Sequence, residues 1–243
     1  MAEFKKRTDI IIYQMGKVAS QALQRAFLEH DYKVQHIHWM LDDTGEFPGI
    51  RPHIVEKIKN QEQQFKIITT VREPVARNIS AFFQQVAKYC QQNNMDYTKA
   101  TAEELHELFL KVYDIHWPDE WFKREMLPVL NFNAFANNFD HDKGYTIYPD
   151  RFHPIMIIRV ENINEVLEKA IKEFLDIDNI KMVYYNVGIK KNINKFLNPI
   201  YEKFLTLKLP DEFINKNYEL QYAKHFYTED EIKKLKYKWK NLI

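Results

Sequence analysis

Residues Ile10 to Leu23, "IIIYQMGKVASQAL", pass from an apolar, β-branched run through a single Gly-Lys pair into a segment with helical spacing. A strand, a short loop holding Gly16 and then an amphipathic segment form the repeating unit of an α/β fold. Such a junction aims backbone N–H groups at an anion, the helix dipole adds to the attraction, and Lys17 supplies a positive charge in the same place. Taken alone, the loop admits two readings: an anion cradle, or a turn whose glycine is steric. It does not match the nucleotide-binding pattern G-x-x-x-x-G-K-[ST]. Ile11 stands where the first glycine belongs, and Val18 stands where a magnesium-binding hydroxyl belongs.

Three further runs have strand character: "KVQHIHWM" (Lys33 to Met40), "KIITTV" (Lys66 to Val71) and "PIMIIRV" (Pro154 to Val160). The first and last of the four are nearly continuous in apolar character, as strands buried on both faces of a parallel sheet are. Helical spacing follows "DIIIY" at Ala22, Leu23, Ala26 and Phe27. After "KIITTV", Val75, Ile79, Phe82, Phe83 and Val86 make an apolar face toward Tyr89, with Pro74 in the first turn. Thr101 with Glu104, and Thr228 with Glu231, have capping-box spacing; further helices are read from Pro118 and over Asn164 to Leu175. The expected fold is α/β, a three-layer sandwich with a central, mainly parallel sheet of four to five strands. One domain is expected, with a core at about 8–90 and 154–195 and a helical insertion at about 95–150. "DDTGEFPG" (Asp42 to Gly49) follows the second strand and is placed to act as a lid.

The 243 residues are 45% hydrophobic and 28% charged, the make-up of a chain that packs a core. A formal net charge of +1 gives no global field for nucleic acid or an anionic membrane, so any anion site is local. Cys90 is the only cysteine, which excludes an internal disulfide and a Cys-rich zinc site. No Asp, Glu or His cluster has metal-ligand spacing, and the apolar run at Ile10 to Tyr13 is too short to be a membrane span. No membrane insertion and a cytoplasmic location are expected.

A second segment, "TVREPVARNISAFFQ", puts Arg72 at the end of the third strand, with Arg77 and Ser80 on one face of the following helix. Two arginines and a hydroxyl can grip a phosphate through charge-assisted hydrogen bonds. The segment alone reads equally well as Arg72 paired with Glu73 or another carboxylate and Arg77 in solvent.

Together the two segments resemble the sulfotransferases that use 3′-phosphoadenosine 5′-phosphosulfate (PAPS). "GKVASQAL" looks like their 5′-phosphosulfate loop, especially the K-V-[AG]-C-T form of carbohydrate sulfotransferases. "VREPVARNISAFF" is similar to their V-R-D-P-x-x-R-x-x-S-A-[FY] motif for the 3′-phosphate. "HFYTEDEI" and Trp239 look like the C-terminal pattern of a bacterial group of capsular polysaccharide synthesis proteins. The resemblance implies a P-loop NTPase-like sulfotransferase fold and transfer of a sulfuryl group from PAPS to a hydroxyl of a carbohydrate, such as a capsular or surface polysaccharide, leaving adenosine 3′,5′-bisphosphate. It implies donor contacts from Gly16, Lys17, Val18, Ala19, Ser20, Gln21 and Ala22 at the 5′ end. Lys17 would sit on the transferring group and the bridging oxygen, and Arg72, Ser80 and Arg77 at the 3′-phosphate. Gln21 stands where the family commonly has threonine, which leaves Ser20 as the nearest hydroxyl. Lys190 and Lys191, in "YYNVGIKKN", match the basic C-terminal loop that closes on the 3′-phosphate. Glu161 and Asn162 after "IIRV" look like a strand-end support.

Sulfuryl transfer resembles phosphoryl transfer, and needs no metal where a lysine and helix amides neutralise the leaving phosphate. A base must take the acceptor proton. Alternation places His36 and His38 on one strand face, with His38 nearer the carboxyl end; His53 and Glu46 are the other candidates. For either histidine the plain alternative is a buried ring bonded to backbone. On the acceptor side, Trp117 and Trp121 could stack on sugar rings with Glu125 as a polar contact, although aromatics at helical spacing also read as core. Two other readings stay open: a nucleotide-dependent kinase, and a non-catalytic nucleotide-binding protein of polysaccharide assembly.

Overall fold

The computed structural model describes residues 5–41, 52–182 and 196–241. By the density of its own contacts the chain divides into two compact units, Met1–Arg72 with Pro118–Tyr185, and Glu73–Trp117 with Asn186–Ile243.

The first unit holds the sheet. Strands β1 (Lys5–Tyr13), β2 (Tyr32–Ile37), β3 (Lys66–Val71), β4 (Tyr145–Tyr148) and β5 (Ile155–Arg159) lie in the order β2-β1-β3-β5-β4. The pairs β1–β2, β1–β3 and β3–β5 are parallel, and β4 runs antiparallel to β5 at one edge. Ile10, Ile11 and Ile12 are wholly buried, as are Ile155 to Ile158, so the continuous apolar runs do mark strands covered on both faces.

Alternation divides the two faces. Ile10, Ile12, Ile68, Met156 and Ile158 pack against α1 (Ser20–Glu29) and α8 (Ile163–Leu175). On the opposite face Tyr13 packs edge-on to Trp121, with ring centroids 5.1 Å apart. Trp121 ends α6 (Trp117–Trp121), which continues through a π-helical turn (Phe122–Met126) into α7 (Leu127–Leu130). Helices therefore flank a mostly parallel five-stranded sheet. A short helix, α2 (Pro52–Lys59), precedes β3.

The second unit is helical: α3 (Pro74–Gln84), α4 (Val86–Gln92), α5 (Ala102–Val112), α9 (Leu197–Phe204), α10 (Asp211–Glu219), α11 (Gln221–Phe226) and α12 (Glu229–Lys240). Both expected capping boxes form, at Thr101 and Thr228. The helix expected to run from Pro74 to Tyr89 is broken instead at Gln85, whose φ of −114° and ψ of 16° end α3 before α4 begins. Phe82 and Phe83 pack on Phe109, Tyr201 and Phe204.

Candidate functional site

In the first unit β1 delivers the chain to the carboxyl edge of the sheet, and residues 14–19 turn it into α1. Lys17 (φ 71°) and Ala19 (φ 62°) are both left-handed, while Val18 between them is not. Alternation of hand along a loop turns successive N–H groups toward one concave side, the arrangement that holds anions. Ala19 N-caps α1 with no side-chain cap, so nothing from the cap residue covers the first turn. The N–H groups of Ala22 and Leu23 return to the Ala19 carbonyl, at 3.1 Å each. Those of Ser20 and Gln21, as the first of a helix, have no acceptor within it. Each left-handed non-glycine residue costs about 1–2 kcal/mol. Gly16 carries none of this strain: its φ is not positive, and a Cβ there would meet nothing within 4 Å. The steric reading of the glycine is thereby set aside, and the strain lies on Lys17 and Ala19.

Gln14 locks the loop from beneath. It is wholly buried, and its Oε1 accepts the Thr70 N–H at 2.8 Å. The Thr70 hydroxyl lies between Gln14 Oε1 and the Val18 carbonyl. Because the Thr70 N–H fixes the amide orientation, Gln14 Nε2 is left buried with no hydrogen-bond partner among the described residues. An orphaned buried donor costs about 1–3 kcal/mol unless something accepts from it. Arg72, just past β3, donates from a guanidinium NH2 group to the Lys17 carbonyl at 3.3 Å. The two sequence segments thus meet at Lys17 and Arg72.

His36 and His38 lie together as alternation predicts, their ring centroids 4.6 Å apart. His38 Nδ1 is 2.8 Å from the Gln14 carbonyl. A carbonyl can only accept, so Nδ1 carries the proton and the neutral ring has its lone pair on Nε2. The His36 side chain is pushed down to about 4, first by burial and then by the neighbouring His38, and its Nε2 is buried without a hydrogen-bond partner among the described residues.

Trp121 and Glu125 support this cluster from the π-helical segment. Trp121 is wholly buried and donates Nε1–H to the His38 carbonyl at 3.1 Å. Glu125, 3% exposed, accepts at one oxygen from the Tyr13 hydroxyl (2.7 Å), the Met40 N–H (2.7 Å) and the Leu41 N–H (3.3 Å). Burial, with Glu125 alongside, raises the Tyr13 phenol well above its usual range. These contacts make both residues braces of the segment carrying His38. Trp117, half-buried, begins α6.

Arg77 and Ser80 are in the second unit, both on α3 and both buried. Arg77 donates to Asn78 Oδ1 and to the Tyr113 hydroxyl, each at 3.0 Å. Glu73 N-caps α3 by accepting from Val75 and Ala76 N–H, and it also accepts from the Tyr218 hydroxyl and Trp239 Nε1. His53 is exposed on α2. Glu46 with the rest of the expected lid at 42–49, and Lys190 and Lys191, lie outside the described residues. Among the described residues no three His, Cys, Asp or Glu side chains gather to hold a metal ion, and no helix is long and apolar enough to cross a membrane. Reading the sequence missed Gln14 and Thr70, and it named Glu73 only as a carboxylate for Arg72, not as the cap of α3. The signal for Gln14 was a lone amide inside an otherwise apolar run, Ile10 to Met15.

Comparison with known proteins bears on the other end of the chain. The family model NKWYS, "Putative capsular polysaccharide synthesis protein", matches residues 93–228, more than half of the sequence, and the chain belongs to that family. The matched stretch begins after the Lys17 loop and the Arg72 to Ser80 segment. No curated protein matches the chain.

Proposed function

We propose that this member of the capsular polysaccharide synthesis family is a sulfotransferase with a P-loop-like sulfotransferase fold. It would move a sulfuryl group from PAPS to a hydroxyl of a carbohydrate. The observation that carries this reading is the loop after β1: two left-handed residues around Val18, an α1 terminus without a side-chain cap, and the Lys17 charge in one place. The orphaned Gln14 amide is a further donor in want of an acceptor at the foot of the same loop.

In the proposed step the acceptor oxygen bonds to sulfur as the sulfur–oxygen bond to the 5′-phosphate breaks. The electron pair of that bond leaves with the phosphate, and the acceptor proton passes to His38 Nε2. Lys17 and the loop amides neutralise the departing phosphate, the electrostatic share of the catalysis. The Nδ1–H bond to the Gln14 carbonyl puts the lone pair of the neutral ring on Nε2, the atom that would take the proton. The 3′-phosphate contacts of Arg72, Arg77 and Ser80 rest on the sequence resemblance.

Calorimetric titration tests the reading. Adenosine 3′,5′-bisphosphate is expected to bind without magnesium and more tightly than adenosine 5′-monophosphate, with ATP-Mg weaker than both; the reverse order would favour the kinase. With PAPS and a capsular oligosaccharide, Lys17→Ala should lower transfer by about 100- to 1,000-fold. His38→Ala should lower it by about 100- to 10,000-fold. Undiminished turnover in either variant removes that residue from the mechanism.

A further inference from the structure

At the opposite end of the strands from the Lys17 loop the first unit has a groove of about 450 Å³, within the size range of small-molecule sites. β3 has six residues, so the groove lies about 20 Å from that loop. It is formed where α2 ends, where α7 ends, and where the chain enters β5.

Two of its lining side chains, His153 and Arg151, are held in place. His153 Nδ1 accepts the Phe65 N–H at 3.1 Å, and its Nε2–H donates to the Ile58 carbonyl at 3.0 Å, so the floor is a neutral imidazole with both nitrogens engaged. Arg151 donates from one guanidinium nitrogen to the Leu130 and Asn131 carbonyls, at 2.9 and 2.6 Å, and lies over the Phe132 ring at 5.0 Å. One NH2 group is thereby anchored, and the other nitrogens make no hydrogen bond among the described residues. The side chains of Lys59, Asn131 and Asp150 line the same groove without a partner among the described residues. Phe152, 40% exposed, offers an apolar ring beside them.

One tethered cation, Arg151, one exposed cation, Lys59, one carboxylate, one amide and an exposed aromatic ring answer a sugar carrying an acid group. The cations take the acid, the carboxylate and amide take ring hydroxyls, and the aromatic ring takes the apolar face of the pyranose. We propose that this groove, formed by Lys59, Asn131, Asp150, Arg151 and Phe152, binds an anionic saccharide unit at a distance from the Lys17 loop. The inference stands apart from the sulfotransferase reading, since nothing in it involves the donor.

The test is calorimetric titration of the full chain with a hyaluronan tetrasaccharide, which carries glucuronate, against the neutral chitin tetrasaccharide. The acidic probe is expected to bind at least about tenfold more tightly, a gap of about 1.4 kcal/mol, and to weaken as salt is raised. Lys59→Glu and Phe152→Ala, both at exposed positions, should each weaken it by about tenfold or more, whereas Lys17→Ala should leave it unchanged. Absence of binding, equal binding of the two tetrasaccharides, insensitivity to Lys59→Glu and Phe152→Ala, or displacement by adenosine 3′,5′-bisphosphate would each overturn the proposal. Failure of adenosine 3′,5′-bisphosphate to bind at all would count against the donor reading and leave this one standing.

Discussion

His36 and His38 stand ring to ring, yet their surroundings give them different chemistry. His38 has a tautomer set by the Gln14 carbonyl, whereas His36 is held neutral by burial. The folded His36 titrates near 4 against an ordinary value of 6.5, so between these limits the unfolded chain binds the extra proton. Its contribution to stability is full above about pH 6.5, is lost as pH falls toward about 4, and changes no further below that. The shift corresponds to about 3 kcal/mol at most, and the partial exposure of the ring reduces it to about 1–2 kcal/mol. Urea unfolding of wild type and His36→Gln across this range should give a difference that grows from pH 4 to 6.5 and then levels; parallel profiles would refute the assignment. That the two rings share a face was legible from alternation in "VQHIHW". Which nitrogen is committed was not, because the partner is a carbonyl 24 positions away.

Elements with local signals were legible, and those made by tertiary contact were not. β1, β3, β5 and α8 follow from apolar runs and helical period, and the capping-box helices from four residues each. β4 was missed although "YTIY" has the β-branched and aromatic content of a strand, because a four-residue antiparallel edge strand leaves little pattern. Helices α9 to α11 were also missed; they are short, and Tyr201 and Phe204 of α9 are buried against α3. The π-helical turn has a cause in the sequence: Pro128 has no N–H for the carbonyl four residues back, and its ring crowds that carbonyl. The Leu127 N–H reaches Phe122 instead, within the turn that carries Glu125. β4 depends on Gly144, whose φ is +71° and whose carbonyl accepts the Arg159 N–H. A Cβ there would lie 2.7 Å from Asn162 Cγ. Gly144→Ala should therefore cost about 1–3 kcal/mol, read as a thermal midpoint lower by about 3–10 °C. An unchanged midpoint would mean that the β4 turn relaxes freely.

Each of the two units is assembled from discontinuous stretches of chain, and in each a buried glutamate ties distant stretches together. Glu125 joins the ends of β1 and β2 to the π-helical turn; Glu73 joins the start of α3 to α10 through Tyr218 and to α12 through Trp239. From the sequence Glu125 reads as a polar contact for a sugar, and Glu73 as a carboxylate for Arg72 to pair with. Their burial and their partners more than eighty positions distant are reported by no local pattern. Their geometries differ in a way that can be measured. The Tyr13, Met40 and Leu41 donors converge on one oxygen of Glu125, so Glu125→Gln can turn its carbonyl oxygen to them and keep those bonds. At Glu73 one oxygen serves Val75 and Tyr218, and the other serves Ala76 and Trp239. In Glu73→Gln the amide NH2 must face a donor whichever way it turns: on one side the Val75 N–H, with the Tyr218 hydroxyl able to rotate and accept, and on the other both the Ala76 N–H and the Trp239 indole. Glu73→Gln should therefore strand at least the Val75 N–H, lose about 1–3 kcal/mol and speed amide exchange at the start of α3, while Glu125→Gln loses less. Equal losses would show that the carboxylates act through charge alone, and that the division of donors between their oxygens is of no consequence.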